Sequence, residues 1–401
     1  MYKVEHWGGP KADRNGMATS GAAAFRTGNT TAIHIGNTKA CIAGYEGLED
    51  PGMSYKLCIP SWVAFTPNGT LFGEAALNHA AVSPGTAVSG FKRVLGSKMF
   101  EDVVKAEMEL VPYKLVGTQA GRCAIQIETE EGGAEERSPD RPLALEGLPK
   151  EPSRNGRPAR GRFSAARYVD EHVAVAAALG HHEKARQGKV ILVFHMGGRT
   201  THATMFKFRD GTTRLIEGRH DAQLGGDDFT CRLVDHFVQL IREKHHRDLR
   251  QDDGALRELR AACERAKKAL TYWDTTLVKV ESLLDGADFF EPLTRAEFEE
   301  LNRDLLARAT SMVDLLATWR WWLPPGRWDN IDDIILVGGS VRIPKIIEFF
   351  RDYFHGREPI VEEEAAIRGA ALLSRPESAM FTYDNCDCHG NPLQASENII
   401  E

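Results

Sequence analysis

The chain has 401 residues, 42% of them hydrophobic and 27% charged, with a formal net charge of -7 at pH 7. That length exceeds what one hydrophobic core usually serves and predicts two lobes or one split domain. No apolar run nears the roughly 20 residues of a membrane span, and the basic residues are interleaved with acids, so neither membrane nor nucleic acid is expected as a partner.

The first 30 residues carry acids, lack an apolar signal core and read as a disordered tail. The acid-free run from Met17 has the look of an organellar import signal and is the alternative. The seven cysteines, Cys41, Cys58, Cys123, Cys231, Cys263, Cys386 and Cys388, sit mostly in apolar or helical stretches, which predicts a reducing, cytoplasmic setting.

Residues 31–45, "TAIHIGNTKACIAGY", read as a hairpin turning at Gly36. Strands broken at Pro60 and at "PNG" follow, and then "SGFKRVLGSKMFEDVVKAEME" becomes helical and amphipathic. Residues 128–162 are charged, rich in Pro and Gly and unable to bury a core face, which predicts disorder. "FSAARYVDEHVAVAAALGHHEKA" reads as a buried helix, and "KVILVFHMGG" as a strand entering a second glycine turn.

"LGGDDFTCRLVDHF" opens a long helix with Asp227 and Asp228 in its first turn, where acids suit the helix dipole. The next helix places Leu256, Leu259, Cys263, Ala266 and Leu270 along one stripe. After strands within residues 275–294, "RAEFEELNRDLLARATSMVDLLA" reads as one helix. "DDIILVGGSVRIPKIIEFF" then gives a strand, a Gly-Gly turn and a helix, an arrangement whose backbone N–H groups can face an anion.

Three strand–glycine turns (34–38, 195–200, 335–340), with "FKRVLG", "LGGDDF", "LRAACERAKKAL", "LTRAEFEELNRDL" and "ILVGGSVRIPKI" in order, resemble the nucleotide-binding domain of the 70-kDa heat-shock chaperones. That domain belongs to the actin, sugar-kinase and chaperone ATPase superfamily. The resemblance implies an α/β, two-lobed actin-like ATPase fold of the ribonuclease H-like kind, with the first lobe incomplete. It divides the chain into a tail (1–30), the N-terminal part of the first lobe (31–127), the insert (128–162), a return helix (163–188), the second lobe with its closing helix (189–374), and a tail (375–401) with no peptide-binding domain.

By the same resemblance Gly338, Gly339, Ser340 and Arg342 hold the adenine end of ATP or ADP, the Arg342 guanidinium stacking on the base. Glu264, Lys267 and Lys268 hold ribose and base from one helix face, joined by Thr271 and Glu363. Gly36, Asn37, Thr38, Gly197, Gly198 and Thr200 form the phosphate turns, and Gly225 and Gly226 close over the nucleotide. Lys92 reaches the γ-phosphate and orients water, and Glu171 and His195 stand at the remaining catalytic positions.

Departures from the family pattern gather where the chemistry is. His34, His195 and His202 stand in place of aspartates that hold the water shell of Mg²⁺, a cation that takes oxygen ligands. Metal-assisted ATP binding should suffer, hydrolysis is expected to be weak or absent, and no metal site is assigned. Lys268 replaces an arginine, Asn37 a hydroxyl residue, and Arg199 a glycine; the Arg199 side chain either blocks the backbone's approach to phosphate or binds phosphate itself.

The strand that should precede Glu171 and His172 is expected to be missing, leaving an unpaired sheet edge in the first lobe. Trp319, Trp321, Trp322 and Trp328 crowd a connector, either folded inward or exposed as a contact site. The leading expectation is a nucleotide-binding domain, chaperone-related by family. A non-catalytic module docking co-chaperones or exchange factors, a slow ATPase, and a degenerate gene product remain open beside it.

Overall fold

The computed structural model describes residues 2–6, 30–45, 55–94, 97–108, 111, 113–128, 134–137, 165–181, 188–209, 212–284, 286–318 and 331–373. The chain divides into two compact units: unit 1 is Met1–Leu179 with Ala365–Met380, and unit 2 is Gly180–Glu364 with Phe381–Glu401. The tryptophan connector 319–328 and the tail 375–401 lie outside the described residues.

Unit 1 runs β1 (Tyr2–His6), β2 (Thr30–Ile35), β3 (Lys39–Tyr45), β4 (Tyr55–Pro60), β5 (Trp62–Thr66), β6 (Gly69–Phe72), α1 (Glu74–Val82), β7 (Ala87–Ser89), α2 (Asp102–Met108), β8 (Lys114–Gly117), β9 (Cys123–Glu128), β10 (Ala134–Arg137), β11 (Ala165–Val169) and α3 (Glu171–Ala178). Its main sheet has the order β11-β1-β2-β3-β4, with smaller sheets β6-β5-β7 and β10-β9-β8. The expected hairpin is β2 and β3, and Ala40, Cys41, Ile42 and Ala43 in succession are buried, so β3 is covered on both faces.

Five expectations for this part of the chain are corrected. Residues 2–6 of the supposed tail pair with β2 on one side and β11 on the other. The strand expected to be missing is β11, so the sheet continues where a gap was expected; among the described residues of the expected return helix, 171–178 are helical and 165–169 form β11. Within the insert, Glu128 ends β9 and Ala134–Arg137 pairs with that strand, and residues 129–133 and 138–162 lie outside the described set. Cys41 and Cys58, expected as thiols, are opposite one another on β3 and β4 with Cα atoms 4.1 Å apart and form a disulfide.

Unit 2 continues with β12 (Val190–Met196), β13 (Thr201–Arg209), β14 (Thr212–Asp221), α4 (Gly226–His245), α5 (Asp253–Ala269), β15 (Thr275–Leu284), β16 (Ala287–Thr294), α6 (Arg295–Leu301), α7 (Arg303–Thr318), β17 (Asp333–Val337), α8 (Pro344–Tyr353) and β18 (Ile360–Val361). Its sheet order is β14-β13-β12-β17-β18, in which β12 pairs antiparallel with β13 and parallel with β17. The unbroken run Ile191–Phe194 is buried because β12 is central and covered on both faces. The α5 stripe Leu259, Cys263, Ala266 and Leu270 is buried as its spacing requires.

The single helix expected after β16 is two. Thr294 and Glu297 form a capping box that starts α6, and the Asn302 carboxamide donates to the Phe298 carbonyl (2.8 Å) where α6 ends. Finally α9 (Ala365–Leu373) returns to unit 1 and packs on α3 so closely that a Cβ at Gly369 would lie 1.6 Å from the Ala174 carbonyl oxygen. No described helix is long and apolar enough to cross a membrane.

Candidate functional site

The second glycine turn, between β12 and β13, is closed by the Gly197 N–H donating to the Thr200 carbonyl (2.9 Å). Its own carbonyls are then held from outside: Gly226 N–H donates to Gly197 (2.9 Å), Asp227 N–H to Gly198 (2.7 Å), and the Ser340 hydroxyl to Gly197 (2.9 Å). The second turn, the start of α4 and the third turn are therefore one hydrogen-bonded assembly within unit 2. Glycine is required where these backbones meet: a Cβ on Gly225 would lie 2.4 Å from the Arg199 nitrogen, and one on Gly226 2.3 Å from Ser340 Oγ. Gly338 has φ of 94° and a Cβ there would lie 2.4 Å from the Met196 carbonyl oxygen.

The α5 residues join the same assembly. Lys267 donates to the Gly226 carbonyl (2.6 Å) and the Thr230 hydroxyl (2.9 Å) and pairs with Glu264 (2.6 Å). Thr230 also donates to Glu264 (2.6 Å), while Lys268 pairs with Glu264 at 3.2 Å and stays exposed. Burial pushes the Glu264 carboxyl up, but the Lys267 and Lys268 charges and the bonds from Lys267 and Thr230 outweigh it, and its pKa falls below the ordinary glutamate value. At Asp227 burial wins instead, raising the pKa against the pull of Arg260, Lys267 and Arg199.

Arg199 lies with its side chain buried and its Nε 3.8 Å from Asp227 Oδ2, so it is folded against the first turn of α4. There its positive charge faces the Asp227 carboxylate.

At the third turn, Arg342 donates to the Tyr272 hydroxyl (3.2 Å) and pairs with Glu363 (3.3 Å) while its side chain stays partly exposed. It borders an open recess of about 560 Å³ lined also by Thr271, Pro344, Ile347, Glu348, Arg351 and Val361. Polar groups on an apolar wall, with a half-exposed guanidinium plane, fit an aromatic base. Gly339 lies beside Glu363, where an added Cβ would be 3.7 Å from Oε1.

His195 and His202 are direct partners across β12 and β13, their rings stacked with centroids 4.6 Å apart. Imidazole nitrogens do not suit Mg²⁺, so the side chains flanking the second turn do not fit that cation.

Unit 1 holds the first turn, where Gly36 N–H donates to Lys39 (2.8 Å), Ser61 Oγ to Gly36 (2.8 Å), and Ser61 N–H to Thr38 (2.9 Å). The Asn37 side-chain oxygen is shielded from solvent and has no hydrogen-bond partner among the described residues, which fits a donor from a ligand. His34 is opposite Cys41. Burial lowers the Lys92 pKa, with the Glu171 charge opposing it; burial likewise lowers that of His172 against Asp170 and Glu171.

Sequence reasoning missed Thr230 and Tyr272, and it treated Asp227 only as a helix-dipole residue. Thr230 lies one turn after Gly226 and facing α5, a position that helical spacing from the glycine turn would have flagged. Tyr272 carried no signal, because its hydroxyl meets Arg342 across seventy residues.

A protein-family model described as "Hsp70 protein" matches residues 31–141 and 162–379. The chain is 35% identical over 380 residues to "Heat shock 70 kDa protein BIP3" of Oryza sativa subsp. japonica, covering 85% of this chain and 55% of the relative. It is 33% identical over 379 residues to "Heat shock 70 kDa protein" of Neurospora crassa (85% and 57%), and 33% identical over 349 residues to "Heat shock cognate 70 kDa protein 3" of Dictyostelium discoideum (78% and 54%). The chain thus spans about half the length of the curated relatives it matches. With the glycine turns, the two α/β units and these matches together, the chain belongs to the Hsp70 family and carries its nucleotide-binding domain.

Proposed function

We propose that this chain binds ATP and ADP with little dependence on Mg²⁺ and hydrolyses ATP slowly or not at all. The observation that carries the reading is a contrast inside unit 2. The recess at Arg342 and the hydrogen-bonded glycine turns are intact, whereas stacked imidazoles of His195 and His202 flank the second turn where the resemblance calls for carboxylates. Arg342 and Thr271 would hold the base, Glu264 and Lys268 the ribose, and the Gly197–Gly198 turn the phosphates. When bound, Mg²⁺ screens phosphate charge; at the two strand ends that flank that turn it would meet the imidazoles of His195 and His202.

Calorimetric titration with ATP and ADP, with and without Mg²⁺, tests the reading. Expected is binding that changes little with Mg²⁺ and weakens about tenfold in Arg342→Ala, the cost of roughly 1.4 kcal/mol of base stacking. A protein carrying His34→Asp, His195→Asp and His202→Asp should become Mg²⁺-dependent. Absence of heat from either nucleotide with folded protein, or turnover at a rate raised by Mg²⁺ in the unaltered chain, would overturn it.

A second reading has its own observation. Trp273, Leu277 and Phe290, at and beside the β15–β16 hairpin, are about two-thirds exposed (66%, 61% and 65%), an apolar surface suited to a co-chaperone or exchange factor. Nucleotide-independent binding of such a factor, lost in Trp273→Ala, would favour it.

A further inference from the structure

We infer that His195 and His202 form a bidentate chelate for a transition-metal ion, Zn²⁺, Cu²⁺ or Ni²⁺, on the unit 2 sheet beside the second glycine turn. The inference stands apart from the nucleotide reading, because it uses only these side chains and the strands beneath them.

The two histidines are directly opposite on adjacent antiparallel strands, so the β ladder fixes their Cα atoms within about 4.5–5.5 Å and points both side chains to one face. The rings stack at 26° with centroids 4.6 Å apart, and one ligand nitrogen of each lies within 4.8 Å of the other. Two nitrogens sharing one ion at bond lengths of about 2.0–2.1 Å need a separation near 3.3 Å, so binding requires the rings to tilt out of their stack until the in-plane lone pairs converge.

The frame beneath them is rigid. β12 is clamped by β13 on one side and β17 on the other, and the hairpin that joins the two histidines is only four residues long. Room for ring movement comes from glycine: a Cβ on Gly197 would lie 3.0 Å from a ring carbon of His195, and one on Gly338 3.1 Å from its Nε2. His220, exposed on β14, is the next rung on the same face, with its ring 6.3 Å from that of His202. Imidazole nitrogens suit zinc, copper and nickel, and water completes the coordination.

The test titrates the full chain, without an affinity tag of histidines and without nucleotide, with Zn²⁺ alone and then Cu²⁺ alone. One site is expected that His195→Asn or His202→Asn weakens by more than about tenfold, the loss that even an outer partner of a metal ligand can cost. A control variant, His245→Asn with His246→Asn, should bind as the unaltered chain does. Copper bound there should show at least two nitrogen ligands in its paramagnetic resonance spectrum. Unchanged affinity in folded His202→Asn, or equal competition by Mg²⁺, would overturn the proposal. If neither site variant folds, Cu²⁺ broadening of backbone resonances in the unaltered chain decides: loss centred on residues 195 and 202 supports the site, and loss centred elsewhere overturns it.

Discussion

At the scale of single residues, Lys267 and Glu264 tie α5 to the start of α4 through a lysine that meets a carbonyl, a hydroxyl and a carboxylate at once. Because the folded-state pKa of Glu264 is lowered, its contribution is fully present above its unfolded value of about 4.3 and is lost as pH falls through the folded value. Glu264→Gln should therefore cost about 1 kcal/mol at pH 7, allowing for solvent screening at this partly exposed group, and flatten the acid limb of the stability curve. Urea unfolding from pH 7 down to pH 3 checks it, and parallel curves for the two proteins would count against it. Asp227 works in the opposite sense, its raised pKa making the folded form hold its proton longer, so only the comparison of variant with parent isolates Glu264.

Much of this residue scale was open to reading. Gly225 and Gly226 before α4 and Gly338 of the third turn were legible as glycine positions in the sequence, and the fold requires them because a Cβ there would lie 2.3 to 2.4 Å from other backbones and side chains. Arg199 was not legible. Its sequence left two roles toward phosphate, and its nearness to Asp227, 28 positions away, arises only once α4 has docked.

Among elements, the contact of α9 with α3 is the least forgiving. Gly369 lets the helix lie against the Ala174 carbonyl, and the buried run Val173–Ala177 supplies small side chains that permit the approach. Gly369→Ala should separate the helices and destabilise unit 1 by about 3 kcal/mol, the upper part of the range for an overpacked core. Chemical denaturation followed by circular dichroism would show it, and a loss below about 1 kcal/mol would mean that the helices can part cheaply. β1 and β11 show why other elements were misjudged. β1 (YKVEH) alternates over only five residues and β11 (AARYV) does not alternate, so neither announces a strand by itself, and both form because a neighbouring strand offers its free backbone groups.

For the molecule as a whole, every buried residue of the large unit 2 core lies between Leu192 and Phe354, within one continuous stretch of chain. Unit 1 is not continuous, since it needs α9 from beyond residue 364. Residues 180–364 expressed alone should thus unfold in urea as a single cooperative transition, whereas a featureless slope would show that this core depends on unit 1.

The sequence by itself determined the family, the α/β class, the three glycine turns and the amphipathic helices of unit 2. Those features depend on local rules: period, backbone freedom at glycine and the order of motifs along the chain. Only the tertiary structure decided that Cys41 meets Cys58, that Lys267 is absorbed by α4, and that His195 and His202 stack. Each of those outcomes depends on strand register or helix docking. A shift of one residue along a strand turns every side chain to the other face, so which side chains meet depends on the pairing that the folded sheet adopts.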